Sequence, residues 1–144
     1  MGRHRRGQGT GIGAKAIVNR PVLLDTSFLV DLERETARRE MGPARRFLPS
    51  LARRPLAVSV VTVAELLEGA VNEELTFATL QRFSIQGLHT AHARKCAKLQ
   101  RSSAKRMGEN DAWLVVTAEA IDADIVGADR AAFDRLGSRY LRFR

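Results

Sequence analysis

Four carboxylates of this 144-residue chain stand near points where an apolar run gives way to a helix or loop. They are Asp25, Glu65, Asp111 and Asp129. Three follow a predicted strand directly or one helical turn later, and Asp111 opens the helix before the last of those strands. A fold tolerates clustered carboxylates chiefly when cations neutralise them. Oxygen ligands alone favour Mg²⁺ or Mn²⁺ over Zn²⁺, so the pattern predicts a divalent metal site.

Each acid also has a purely structural explanation. Asp25 could be a turn residue, and Asp129 an ordinary loop acid. Glu65 could complete a capping box with Thr62, and Asp111 could be favoured by the dipole of the helix that it opens. Four independent structural roles have no reason to share one edge of a sheet, so their common location favours the metal site.

Other metal chemistry has little support in the sequence. His4, His89 and His92 are too few and too scattered for a zinc site. The single cysteine, Cys96, permits no internal disulfide, and we therefore expect a reducing, cytoplasmic location. No apolar run approaches the roughly 20 residues of a membrane-spanning helix.

Basic residues are unevenly distributed along the chain. The net charge is +8, and residues 1–20 contain five basic residues and no acid. This Gly-rich segment cannot bury enough apolar surface to fold, so we predict a flexible tail followed by one domain over residues 21–144. Its glycines lack the ending of a phosphate-binding loop. The tail could be an RNA-touching arm, or it could precede a later start at Val18 or Val22.

Strands alternate with helices along the domain. Strands are predicted at 21–25, 56–61, 84–88, 125–126 and 140–143, with residues 33–41 as a charged, fraying helix end and loop. The alternation predicts a three-layer α/β/α domain with a mostly parallel central sheet of about four to five strands. The ligand site of such a sheet lies at the carboxyl ends of its strands, where the four acids are placed.

A long helix is predicted from a cap at Thr90 to about Arg106. Arg94, Lys98, Arg101 and Lys105 follow one another at helical spacing and would form one basic stripe. The stripe is a candidate RNA-binding surface. A solvated face of a surface helix would have the same pattern.

Four sequence motifs together resemble the PIN domain, specifically the VapC toxins of bacterial toxin–antitoxin pairs. They are Leu23-Leu24-Asp25-Thr26-Ser27, the segment 58–66 ending in Glu65-Leu66, Asn110-Asp111, and the segment 125–133 containing Asp129. The resemblance implies a Mg²⁺-dependent endoribonuclease whose acidic quartet is Asp25, Glu65, Asp111 and Asp129. It also implies Thr26 or Ser27 as a hydroxyl partner, Asn110 in support, a VapB-like antitoxin and a homodimer.

Two positions depart from the pattern of these toxins. Gly127 stands where they commonly carry Thr or Ser, which removes a hydroxyl that could orient Asp129. Ala132 stands where an acid commonly precedes the Phe, which removes a peripheral charge. Glu68 and Asp31 are secondary candidate ligands, ranked below the quartet, and Asp31 is expected on the helix surface.

Two other protein classes, an enzyme and a phospho-accepting domain, place an Asp after their first strand. An aspartyl-phosphate phosphatase needs a second Asp two residues later, where this chain has Ser27. A receiver domain needs an Asp after the third strand, where this chain has Leu88-His89-Thr90. Both are disfavoured. The remaining alternative is a catalytically silent PIN-like module that binds RNA or a protein.

Overall fold

The structure, a computed structural model, describes residues 19–128 and 134–144. Its five strands are β1 (Val22–Leu24), β2 (Leu56–Ser59), β3 (Ser84–Gln86), β4 (Asp124–Gly127) and β5 (Tyr140–Arg142). They form one sheet in the order β3-β2-β1-β4-β5, and every pairing is parallel. The predicted α/β/α architecture is confirmed, with a sheet that is parallel throughout.

Helices cover both faces of this sheet. They are α1 (Thr26–Arg38), α2 (Pro43–Phe47), α3 (Val60–Glu68), α4 (Glu73–Leu80), α5 (Thr90–Ser102) and α6 (Glu109–Ala120), with 3-10 segments at Leu48–Leu51 and Asp134–Arg139. Over residues 19–128 and 134–144, none of the helices has the length and apolar character needed to cross a membrane.

The central strand β1 is buried on both faces, and its residues alternate between two cores. Val22 and Leu24 pack in the layer that contains Phe28 of α1. Leu23 packs in the opposite layer, which contains Leu114 of α6. The order of the strands reverses at β1, because β2 lies on one side of it and β4 on the other. This reversal creates the crevice in which parallel α/β sheets bind ligands.

Three helix boundaries in the structure differ from the predicted ones. The charged stretch after Glu33 is helical, because α1 continues to Arg38 and ends where Arg39 adopts a positive φ of 55°. Helix α5 begins after His89, which shares reciprocal capping contacts with His92, so Thr90 is not its cap. It ends at Ser102, before the predicted end at Arg106.

Asp31 is not the surface residue that was expected. Its side chain is buried, forms an ion pair with Arg34 at 3.1 Å and accepts a hydrogen bond from Arg144 at 2.6 Å. Phe143, the neighbour of Arg144, packs edge-on against Phe28 with 5.0 Å between ring centroids. The end of the chain is therefore held against α1, and Asp31 is fully used in this contact.

A second buried acid, Glu35, holds α2 against α1. Its carboxylate accepts hydrogen bonds from the backbone N–H groups of Ala44, at 3.1 Å, and Arg45, at 2.8 Å. These are donors of the first turn of α2 that have no partner within the helix. A Cβ on Gly42 would overlap the Glu35 carboxyl group, so a larger residue there would displace this buried carboxylate.

Several predictions fall on residues outside the described ranges. They are the flexible tail through Val18, the ligand Asp129 and the departure at Ala132.

Candidate active site at the carboxyl ends of the strands

Asp25 lies at the carboxyl end of β1 and caps α1. Its Oδ1 accepts from the backbone N–H of Thr26 at 2.7 Å, and its Oδ2 accepts from the hydroxyl of Ser27 at 3.2 Å. The Ser27 oxygen in turn accepts from the backbone N–H of Ala128 at 3.2 Å. Ser27 therefore connects the carboxylate at the end of β1 to the backbone just beyond β4.

Glu65 of α3 reaches the same crevice. The hydroxyl of Thr26 donates to its Oε1 at 2.8 Å, and the side-chain amide of Asn110 lies 3.4 Å from its Oε2. The structural alternative for Glu65 is wrong, because α3 begins at Val60 and its cap is Ser59, which accepts from the N–H of Val61. Glu65 is thus held toward β1 and α6 instead of closing a capping box.

Asp111 lies in the first turn of α6, where the helix dipole favours a negative charge. Its Oδ2 would be 3.2 Å from a Cβ on Gly108, the residue before the helix. Asn110, its neighbour, faces Glu65. The beginning of α6 thus brings both predicted residues to the crevice.

The pKa of Asp25 is affected by burial and by the charges of the two other acids. Burial raises the pKa of Asp25 above its usual value, and the negative charges of Asp111 and Glu65 raise it further. The hydrogen bonds from Thr26 and Ser27 oppose this shift only in part. In the described part of the chain, no Arg or Lys forms an ion pair with Asp25 or Glu65. Among the described residues, the charges of Asp25 and Glu65 are therefore not compensated by a cation.

Gly127, at the end of β4, is one of the two positions that depart from the toxin pattern, and it lies in the described part of the chain. A Cβ at this position would lie 2.9 Å from Oδ2 of Asp25 and 3.2 Å from its Cβ. Real Cβ atoms essentially never lie as close as 2.9 Å to another heavy atom. Glycine therefore leaves the space in which the Asp25 carboxylate sits against β4.

The donor set fits a hard divalent cation but is incomplete in the described residues. Carboxylates and hydroxyls are the ligands that Mg²⁺ and Mn²⁺ prefer. Within residues 19–128 and 134–144, no three Asp, Glu, His or Cys side chains lie close enough to form a full ligand group. Asp129, the fourth predicted ligand, lies outside these ranges. Glu68, the secondary candidate, is exposed on α3.

The basic stripe is partly helical. Arg94, Lys98 and Arg101 are exposed on α5, whereas Lys105 lies in the loop after the helix. The side chain of Gln100 fixes this loop, because it bonds both the N–H and the carbonyl of Met107, at 2.9 and 3.1 Å. The loop leads directly into α6 and Asp111.

Sequence reasoning missed two features. Thr62 is buried, and its hydroxyl lies 3.4 Å from that of Thr26, so it belongs to the polar set around Glu65. A cavity of about 570 Å³ lies between α1, the 3-10 segment and the start of β2, and its apolar wall includes Met41 and Leu48. It is at the opposite end of the sheet from Asp25. No sequence signal pointed to either feature, because both depend on long-range packing.

Comparison with known proteins places the chain in a family. The model of the PIN domain family matches residues 22–138. Because this match covers more than half of the sequence, the chain belongs to the PIN domain family. The family predicted from the four motifs is confirmed. The comparison with curated proteins gave no match.

Solved structures with the same fold come from toxin–antitoxin complexes. A chain of a toxin–antitoxin complex from Klebsiella pneumoniae is 23% identical, with a TM-score of 0.71, over 85% of this chain and 98% of that chain. A chain of VapBC-1 from nontypeable Haemophilus influenzae is 19% identical, with a TM-score of 0.63, over 85% of this chain and 98% of that chain. A chain of VapBC2 from Rickettsia felis, bound to a promoter DNA fragment, is 20% identical, with a TM-score of 0.63, over 85% of this chain and 96% of that chain. At these identities the likeness shows the fold.

Proposed function

We propose that the chain is a metal-dependent endoribonuclease and the toxin of a VapBC-type pair, hydrolysing RNA phosphodiester bonds at the carboxylate edge of its sheet. One observation supports the proposal above the others: the charges of Glu65 and Asp111 act on Asp25 at the crevice beside β1, and neither Asp25 nor Glu65 has a cationic partner in the described chain. Placing acids together in this way destabilises a fold unless a cation is bound.

In this proposal Asp25, Glu65, Asp111 and Asp129 hold Mg²⁺ or Mn²⁺. When bound, the metal would lower the pKa of a water molecule and stabilise negative charge on the scissile phosphate. The surrounding residues position the ligands: Ser27 fixes one oxygen of Asp25, and Thr26 and Asn110 hold Glu65 from two sides. This arrangement supports the positioning roles that we propose for the hydroxyls and the amide.

The stripe on α5 is the proposed contact for the RNA backbone. Arg94, Lys98 and Arg101 present positive charge to solvent, and Lys105 continues it along the loop that leads to Asp111. Basic side chains in such a row neutralise successive phosphates. RNA bound along the stripe would be directed toward the acidic crevice.

Two protein partners belong to the proposal. The fold neighbours include VapBC complexes, which supports a VapB-like antitoxin as the partner of this chain. An arginine of such an antitoxin would be attracted to the uncompensated charge beside Asp25. We also propose that the chain forms a homodimer.

Cleavage of a mixed-sequence RNA with Mg²⁺ or Mn²⁺, and its loss in EDTA, is the direct test. Asp25→Asn and Asp111→Asn should each lower the cleavage rate by at least about 1,000-fold, which corresponds to about 4 kcal/mol of transition-state stabilisation. Glu119→Gln is the matched control, because Glu119 is an exposed acid on the same helix as Asp111. Metal-dependent cleavage that survives in both site variants would contradict the proposal.

The same samples separate the enzyme from its alternative. A silent PIN-like binding module would bind RNA without cleaving it in any metal. Replacing Lys98 and Arg101 by Gln should weaken RNA binding and lower the slope of affinity against salt by about 2. Replacing the exposed Arg38 and Arg39 by Gln is the control, since they lie at the far end of α1.

A further inference from the structure

Strand β5 begins with a tyrosine whose ring and hydroxyl lie in different surroundings. The ring of Tyr140 packs against the core layer that contains Leu23 and Ile125. Its hydroxyl oxygen is buried as well. A phenylalanine would fill the apolar part of this space equally well, so the direction in which the hydroxyl points is the informative feature of this residue.

The register of the sheet directs the hydroxyl toward Gly127. In the parallel pairing of β4 and β5, Tyr140 stands opposite Ile125, and Gly127 follows two residues later on the same face of the sheet. Neighbours two residues out of register lie within reach of an aromatic side chain. A Cβ on Gly127 would be 3.2 Å from the Tyr140 hydroxyl oxygen. The polar tip of the tyrosine therefore lies beside the end of β4.

Asp25 approaches the same point from the other side. In the pairing of β1 and β4, Leu24 stands opposite Val126, which places Asp25 next to Gly127. The Cβ position of Gly127 is 2.9 Å from Oδ2 of Asp25 and 3.2 Å from the hydroxyl oxygen of Tyr140. These two oxygens are therefore at most about 6 Å apart. A side chain at residue 127 would contact both of them.

The two oxygens are chemically complementary. An ionised carboxylate only accepts hydrogen bonds, whereas a tyrosine hydroxyl can donate one. A water molecule that is bonded to two oxygens spans about 5–6 Å between them. One water above Gly127 is therefore sufficient to connect Tyr140 to Asp25.

We propose that Tyr140 is a positioning residue of the candidate metal site, and that its hydroxyl donates through one water molecule to Oδ2 of Asp25 across the space above Gly127. Ser27 donates to the same oxygen at 3.2 Å, so Oδ2 is held by two hydroxyls. The inference rests on the proposed function, because it assigns Tyr140 a role toward a proposed metal ligand.

The proposal connects Tyr140 with the departure at Gly127. Residue 127 lacks the hydroxyl that the related toxins commonly carry there, and Tyr140 brings a hydroxyl to the same place from β5. The glycine leaves room for this contact, since a Cβ would crowd the carboxylate and approach the phenol oxygen. The two residues therefore act as a pair.

The affinity for Mn²⁺, measured by electron paramagnetic resonance without RNA, tests the role of the hydroxyl. Tyr140→Phe keeps the ring in the core, and the dissociation constant should rise about tenfold, as expected when a group that orients a metal ligand is removed. Cleavage should fall at limiting Mn²⁺ and recover at saturating Mn²⁺. Thr117→Val is the matched control, because the buried Thr117 hydroxyl donates within α6, to the carbonyl of Trp113 at 2.8 Å. Its Mn²⁺ affinity should be unchanged.

The same measurement separates this inference from the proposed function. A wild type that binds no Mn²⁺ would overturn both. A wild type that binds Mn²⁺ with the same affinity as Tyr140→Phe would overturn only the role of Tyr140. A purely structural tyrosine would give that second result together with a lower free energy of unfolding in EDTA.

Combining Tyr140→Phe with Gly127→Ser tests whether the two residues act as a pair. The phenol oxygen is one of the atoms that the new Cβ would meet, so its removal gives the serine more room, and the serine adds a hydroxyl near Asp25. The dissociation constant of Mn²⁺ in the double variant should therefore rise by less than the product of the two single increases. Increases that multiply would show that residues 127 and 140 act independently and would overturn the pairing.

Discussion

The two ends of the sheet bury carboxylates in opposite ways. At the carboxyl ends of the strands, Asp25 is surrounded by hydroxyls, amides and two further acids, and its pKa is raised, first by burial and then by those charges. At the amino end of β4, Asp124 is buried and contacts three arginines: Arg54 and Arg139 at 2.5 Å and Arg20 at 3.1 Å.

The pKa of Asp124 is shifted in the other direction. Burial acts to raise it, but hydrogen bonds from Arg54 and Arg139 and the charges of Arg20 and Arg54 outweigh burial, so the pKa is lowered. One end of the sheet is neutralised by the chain itself and contributes to stability. At the other end, Asp25 and Glu65 form no ion pair with a cationic residue of the described chain, and the proposed function assigns their charge to a metal ligand.

Removing one carboxylate from each end should separate these roles. Asp124→Asn leaves three part-buried arginines without their buried counter-charge and should lower the free energy of unfolding by about 3 kcal/mol. Asp25→Asn removes a charge that its surroundings disfavour, so the free energy of unfolding without metal should be unchanged or higher. Urea unfolding followed by circular dichroism measures both. The contrast disappears if the two variants are destabilised equally.

The steric fit at Gly127 should matter less than the carboxylate itself. In Gly127→Ser the new Cβ would displace the Asp25 carboxylate, and we expect cleavage at limiting Mg²⁺ to fall about tenfold, equivalent to about 1.4 kcal/mol. Gly87→Ser is the matched control, because a Cβ at Gly87 meets no atom within 4 Å. Raising Mg²⁺ should recover part of the rate. Equal rates in the two variants would show that Asp25 has room to move.

Lowering the pH should gradually remove the contribution of Asp124 to the free energy of unfolding. Because its pKa is lower in the folded protein than in the unfolded chain, its contribution is complete above about pH 5 and is lost as the pH falls below about 4. The difference in free energy of unfolding between wild type and Asp124→Asn should therefore shrink from pH 7 to pH 3. A difference that stays constant would mean that Asp124 acts through packing and not through charge.

The sequence predicted what depends on local pattern. The continuous apolar run before Asp25 indicated a strand buried on both faces, and the alternation of strands and helices indicated a parallel sheet with its site at one edge. Asp25, Glu65 and Asp111 were placed at that edge because chain order and strand direction decide it. No geometry of side chains was needed for this step.

Contacts between residues that are far apart in the chain could not be predicted from the sequence. Asp31 has the spacing of a surface helix residue, and only the arrival of Arg144, 113 positions later, makes it a buried ion-pair partner. Thr62 and Glu65 have the spacing of a capping box, yet Ser59 takes the capping position and leaves Glu65 to Thr26. In each case the local spacing predicts one role, and a contact that forms only in the folded chain gives the residue another.

The corner at Glu35 affects how the distant cavity can respond to a ligand. Both Glu35 oxygens accept hydrogen bonds from α2, and Gly42 lies against the carboxyl group, so α1 and α2 are held together as one wall of the cavity. Leu48 and Pro49, which also line the cavity, belong to the 3-10 segment that follows α2. A molecule too large for the cavity would therefore have to enlarge it by moving this segment, while the wall formed by the two helices stayed in place.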